Sequence, residues 1–344
     1  MPTDPGVSPL SGAPVVAALT PTVKAWVNYA PNTQRGRHLA PPSPILRAMS
    51  RFLVLLVVTA FAAPAWAATA CPQHFALGVA PVLSNPQLQL RTRELCFEAF
   101  AVLHSGASRT PLYAAEHLTR SSLLEARTLS RKDAFHPEVV LPMAERAELG
   151  DYARSGYDRG HMAPNGDMPT RTAQAQSFSL ANMVPQLHAN NAGVWAGIEM
   201  AVRELALSEG EIYVISGPAF LGPDIQQIGR GVLVPTHLWE VVYSPRQQRA
   251  GAYVITNGET RAYSAVSLRD LERMVGVQAL PALPAQVQQA GMPLPPPLAQ
   301  GSGNARRPRA RDEGAGGAKE AGTEGFTLQD LARSVDRALR RATH

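Results

Sequence analysis

Residues 151–168, DYARSGYDRGHMAPNGDM, and residues 179–203, SLANMVPQLHANNAGVWAGIEMAVR, decide how this chain is read. Aspartate, asparagine, arginine, histidine and glutamate crowd together here in a mixture that an ordinary apolar core does not need. Arg159 and His161 are two residues apart, so in extended chain their side chains point the same way. A helix from Ala192 to about Leu205 would put Asn191 at its N-terminal edge, where asparagine caps well and the dipole favours anions. On that helix Glu199 and Arg203 are i,i+4 neighbours, and Trp195 and Ile198 read as core.

The flanking sequence supplies the scaffold. Residues 211–216 (EIYVIS), followed by Gly217-Pro218, read as a buried strand and a turn. Residues 251–257 read as a second strand, and the apolar run 233–243 as a third. Ser267 with Asp270 three residues on is a capping-box-like helix start. From about Cys71 to Pro284 apolar runs alternate with turn signals, which predicts an α+β domain over 68–284. Residues 285–325 are rich in Pro, Gly and Arg and read as a disordered linker; it includes the cluster Arg306, Arg307, Arg309 and Arg311. In 326–344, Leu328, Leu331, Val335 and Leu339 recur at helical spacing, so a short amphipathic helix is expected, docking on a partner or packing back on the domain.

At the other end, 1–48 is proline-punctuated and lacks periodicity. Met49-Ser50-Arg51 then leads into the apolar run 52–61 and a small-x-small site at Ala65-Trp66-Ala67, so 49–67 reads as a secretory signal peptide. The preceding 48 residues are a disordered extension or the product of a start placed upstream of Met49. A cytoplasmic tail before an anchor at 52–70 is the poorer alternative, because Pro64 suits cleavage better than spanning. Export to the periplasm or medium follows, with no stable membrane insertion after cleavage. The chain's only cysteines, Cys71 and Cys96, then read as one disulfide; redox catalysis and structural zinc lack the necessary spacing.

With 344 residues, 45% of them hydrophobic, disorder throughout is excluded. The net charge of +5 hints at a polyanion partner, but residues 1–67 carry five basic residues and one acid, and 281–344 carry nine and six. The stretch between is therefore at −2, so attraction to a polyanion must be local.

The local chemistry suits phosphodiester hydrolysis, which needs an activated water, a cation at the developing oxyanion and donors for the phosphoryl oxygens. His161 suits the general base. Arg159 can hold a phosphate bidentately, and Gly160 allows close approach of backbone or substrate. The amide oxygens of Asn182 and Asn191 suit a hard ion such as Mg²⁺ and suit zinc poorly. Glu199 lies two turns on, better placed for metal-bound water than for direct ligation.

Asp158-Arg159-Gly160-His161, preceded by Asp151-Tyr152 and Ser155-Gly156-Tyr157 and followed by Asn182, Pro185-Gln186, Asn191, Trp195, Ile198-Glu199 and Arg203, resembles the DNA/RNA non-specific endonuclease family, which includes endonuclease G. The resemblance extends more weakly over about 111–283. It implies a ββα-metal nuclease fold with a central antiparallel sheet and flanking helices. It implies His161 as general base, Asn191 as the one direct protein ligand of Mg²⁺ (with Mn²⁺ able to substitute) and Glu199 as holder of a metal-bound water. Arg159 would lie beside the base, Asn182 would orient the site, and Arg203 would stand near the leaving group. An upstream phosphate-binding arginine matches Arg131, with Arg127 as the alternative. The family cuts DNA and RNA to 5′-phosphate ends, and its members are often homodimers.

Glu240 departs from the lysine of many relatives, a change expected to weaken a phosphate contact or alter surface charge. Two other readings compete: an inactive nucleic-acid-binding or uptake protein, and a nuclease toxin module with a partner-docking tail. His188 falls inside the motif region and could touch substrate; the histidines outside it read as structural or surface.

Overall fold

Val, Ile and aromatic residues in near-continuous apolar runs drive the strands of this domain. The structure is a computed structural model whose description covers residues 69–299. The expected extension 1–48, signal segment 49–67, linker beyond 299 and helix within 326–344 lie outside the described residues. In chain order the elements are β1 (Val82–Leu83), β2 (Thr92–Cys96), β3 (Phe100–Ser105), β4 (Thr110–Thr119), α1 (Arg120–Ala126), α2 (Leu149–Tyr152), β5 (Asp158–His161) and α3 (Arg171–Ser177). They continue with β6 (Met183–Gln186), α4 (Ala196–Glu209), β7 (Glu211–Ala219), β8 (Gln227–Ile228), β9 (Val232–Leu233), β10 (His237–Ser244) and β11 (Arg249–Thr256). Last come β12 (Tyr263–Val266), α5 (Leu268–Val275), β13 (Val277–Gln278) and α6 (Ala285–Ala290).

Seven strands form one sheet in the order β12-β11-β10-β7-β4-β3-β2, and every neighbouring pair is antiparallel. The expected α+β class and central antiparallel sheet are therefore present. Both faces of the sheet are covered, which is why its strands read as near-continuous apolar runs. One face buries Tyr113, Ile215, Trp239, Val241 and Val254 with Leu271 of α5. The other buries Val102, Val214, Leu238, Val242 and Ile255 against Ile198 and Val202 of α4. Each such side chain contributes about 1.5–3 kcal/mol by leaving water.

Gly217-Pro218 does not turn. The residues continue β7, because a Cβ at 217 would lie 2.5 Å from both the Leu112 carbonyl and the Trp239 ring, and the Trp239 indole donates to the Pro218 carbonyl at 3.0 Å. Ser267 does cap α5, its Oγ accepting from Asp270 N at 3.1 Å, and Gly276 closes that helix in the left-handed region at φ 71°. Cys71 and Cys96 are joined in a disulfide that ties the first described residues to β2. Among the described residues the one grouping of three His, Cys, Asp or Glu ligand atoms is Cys71, Glu94 and Cys96, and its two sulfurs are bonded to each other.

Composition alone starts the linker at residue 285. In the structure Ala285–Ala290 form α6, and the residues after it run extended across β11 to the start of α4. Prolines there pre-set an extended backbone that packs without a ladder of its own.

A candidate nuclease active site

The short strands β5 and β6 pair antiparallel, Asp158 opposite Gln186 and His161 opposite Met183, and α4 follows after one irregular turn. This ββα unit carries the two motif stretches. Gly160 is required where the strands meet: a Cβ would sit 2.0 Å from Gln186 Oε1, so the close approach it permits is that of the Gln186 side chain.

Arg131, Arg159, His161, Asn191, Glu199 and Arg203 line one cavity of about 670 Å³. The structure thus brings together every residue expected at the site except Asn182. Arg127, the alternative to Arg131, turns away and pairs with Glu204 at 2.5 Å on the exposed side of α4. Asn182 is fully buried and spends its side chain on backbone. Its Oδ1 accepts from Ala163 N, and its Nδ2 donates to the carbonyls of Ala163 and Ser177, all at 2.9 Å. It fixes the loop after His161 and offers no oxygen to a metal.

Arg159 and His161 share a face as their spacing required, and both meet Phe135: the Arg159 guanidinium lies 4.1 Å from its ring centroid, the His161 ring 5.8 Å. Phe178 stands edge-on to His161 at 5.2 Å and carries Arg131 over its face at 5.3 Å. Burial pushes the His161 imidazole down to about 3, and the Arg131 charge adds to the effect. The ring is therefore neutral near pH 7, the state a proton acceptor needs. His161 Nε2 is buried with no hydrogen-bond partner, an orphan of the kind that calls for a functional explanation.

Asn191 is not a helix cap. Residues Asn190–Trp195 form a single wide, π-type turn broken at Gly193 (φ −110°, ψ −112°), and the regular helix starts at Ala196. Such turns recur at functional sites because they re-aim a side chain out of helical register. Asn191 Nδ2 donates to Asp158 Oδ2 at 3.0 Å, leaving the amide oxygen as an acceptor, and His188 Nδ1 lies 2.8 Å from the same Asp158 oxygen. His188 is at the exposed rim and, like Asp158, reaches the site through this contact.

Arg203 bonds Asp167 and, at 3.4 Å, Glu199, its i+4 partner. Burial pushes the Glu199 carboxyl up to about 7 against the pull of Arg203. Behind this pair, on the same face of the sheet, lie two further buried acids, Glu116 of β4 and Glu240 of β10, each with one oxygen lacking a partner. Burial, reinforced by the neighbouring carboxylates of Glu199 and Asp167, raises Glu240 to about 8. Burial also raises Glu116, well above the carboxylate range. The expectation for Glu240 fails for this reason. It is 2% exposed, accepts from Ser216 Oγ at 3.3 Å and reaches neither surface nor cavity.

Phe135, Phe178, Asp167 and Glu116 carry no functional signature in the sequence, and Asp158 none beyond its place in the motif. Asp158 and Asp167 lie within 151–168, and strand register sets Asp158 opposite Gln186, five residues before Asn191. The two phenylalanines leave no signal, since their role is set by tertiary packing. Trp195 and Ile198 are core, at 1% and 0% exposure.

The donor set fits a hard divalent cation: an amide oxygen on Asn191 and a carboxylate on Glu199, with no thiolate in the cavity lining.

The model of the DNA/RNA non-specific endonuclease family matches residues 82–286. "Nuclease EXOG, mitochondrial" of Danio rerio is 38% identical over 202 residues, 52% of this chain and 58% of that protein. "Nuclease C1" of Cunninghamella echinulata var. echinulata is 32% identical over 200 residues, 52% of this chain and 79% of its own length. The chain thus spans less than two thirds of the EXOG protein. A solved structure of EndoG in complex with EndoGI, a study of EndoG inhibition, superposes with a TM-score of 0.51 at 26% identity, covering 58% of this chain and 89% of that one. Its ββα-metal architecture, the motif order along β5, β6 and α4 and the match over 82–286 agree: this chain belongs to the DNA/RNA non-specific endonuclease family.

Proposed function

We propose that this protein is an exported endonuclease that hydrolyses phosphodiester bonds of both DNA and RNA, leaving 5′-phosphate ends. The reading is carried by the convergence of a neutral, partly orphaned His161 with Arg131, Arg159, Asn191, Glu199 and Arg203 in one cavity. Asn191 and, through water, Glu199 would hold a divalent cation, Mg²⁺ or Mn²⁺, which supplies Lewis-acid stabilisation of the oxyanion.

His161 takes a proton from the attacking water while Phe135 and Phe178 hold the ring against rotation. Arg131 and Arg159 bind the non-bridging phosphoryl oxygens, their planes set by the same two aromatic rings. Arg203, fixed by Asp167 and Glu199, places a permanent positive charge on the leaving-group side. None of these contacts reads a base or a sugar, which supports action on both nucleic acids.

Export rests on the segment 49–67, and the Cys71–Cys96 disulfide supports an oxidising compartment. The test is cleavage of matched single-stranded DNA and RNA with and without chelator. The reading expects both to be cut in Mg²⁺ and neither in chelator; cleavage of neither in any divalent ion would favour the inactive binding protein.

A further inference from the structure

The residues after α6 are built into the catalytic turn. Arg249 Nη2 donates to the Gly291 carbonyl at 3.1 Å, and Met292 is buried against Gly251, where a Cβ would lie 3.0 Å from the Met292 oxygen. The Tyr253 hydroxyl donates to the Pro295 carbonyl at 2.5 Å. Leu298 N then donates to the Gly197 carbonyl at 2.9 Å, in the first turn of α4. A Cβ on Gly197 would fall 2.6 Å from the Leu298 oxygen and 3.1 Å from Pro297 Cβ. Two glycines on two different elements thus open room for one extended segment. Glycine in a helix is otherwise unfavourable, so Gly197 makes sense as the seat of this contact.

Gly197 is two residues before Glu199 and four after Gly193, where the turn breaks helical geometry. On its other side the turn is held by Asn190, whose Nδ2 donates to the Thr256 carbonyl and whose Oδ1 accepts from Gln186 Nε2. A wide turn with a non-helical break needs such support from both sides, since its own ladder is interrupted.

We propose that residues 291–299 form a strap that positions the Asn191–Glu199 turn for catalysis, with Gly197, Pro297 and Leu298 as positioning residues. The proposal rests on the nuclease reading above for its kinetic arm only.

The decisive variant is Gly197→Ala in the full chain, because alanine favours the helix while evicting the strap. It is compared with Tyr253→Phe, which removes one strap hydrogen bond. Kinetics on a DNA oligonucleotide are measured together with amide hydrogen exchange and thermal unfolding. For Gly197→Ala the expected result is faster exchange in both 190–195 and 292–299, a cooperative unfolding transition that shows the domain still folded, a KM within about twofold and a kcat lower by about tenfold or more. Tyr253→Phe shifts kcat and exchange the same way by less. Released exchange in 292–299 with wild-type exchange in 190–195 and wild-type kcat overturns the proposal. If the wild-type protein cuts no nucleic acid, the nuclease reading fails, and the exchange coupling between the two segments still decides whether the strap supports the turn.

Discussion

Asp158 Oδ2 accepts the Asn191 amide at 3.0 Å, so the first residue of β5 sets the orientation of the proposed metal ligand across the site. The orientation matters because only the amide oxygen can serve a cation. Asp158→Ala leaves Asn191 free to rotate and is expected to weaken divalent-ion affinity and activity about 10- to 100-fold. Titrating cleavage rate against Mg²⁺ checks this, and an unchanged half-saturation would remove Asp158 from the account.

Arg131 and Arg127 make a matched pair of tests. Arg131→Ala removes a phosphate contact and is expected to raise KM and lower the salt slope of binding by about 1. Arg127→Ala breaks only the exposed pair with Glu204 and should leave both unchanged. Fluorescence anisotropy with a labelled oligonucleotide over a salt series measures the difference.

Glu240 carries a pH signature. Its carboxyl, raised by burial from 4.5 to about 8, binds a proton in the folded state that the unfolded chain releases between those values. Folding stability attributable to it therefore falls as pH rises through that window. Glu240→Gln should be more stable than wild type at pH 9, by on the order of a few kcal/mol, with the advantage shrinking toward pH 4. Urea melts at the two pH values decide it; a parallel pair of stability curves would contradict the assignment.

The disulfide closes a loop with a sequence separation of 25, and Cys71 is fully buried at one end of it. Replacing both cysteines by alanine is expected to cost about 3 kcal/mol without moving the active-site residues. A lower Tm with retained kcat would match; an unchanged Tm would not.

Much of this is legible in the sequence. Periodicity carried the α+β class, and the spacing of Arg159 and His161 carried their shared face, because strand geometry is a local property. The start of α4 was not legible: Asn191 looks like a cap, and only the break at Gly193 with the strap at Gly197 makes the wide turn. Nor was the place of Glu240, since a charged residue in an apolar strand reads as surface until its neighbours are known. Proline-rich composition hid the strap, whose order comes from Tyr253 and two distant glycines and not from its own sequence.

The proposed function turns on His161 taking the proton of the attacking water. Single-turnover cleavage of a DNA oligonucleotide by His161→Ala, with Tm and oligonucleotide affinity measured on the same preparation, tests it most directly. A loss of about 10²- to 10⁴-fold in the cleavage step is expected, with folding and binding retained. A folded His161→Ala enzyme that cuts at the wild-type rate would contradict it.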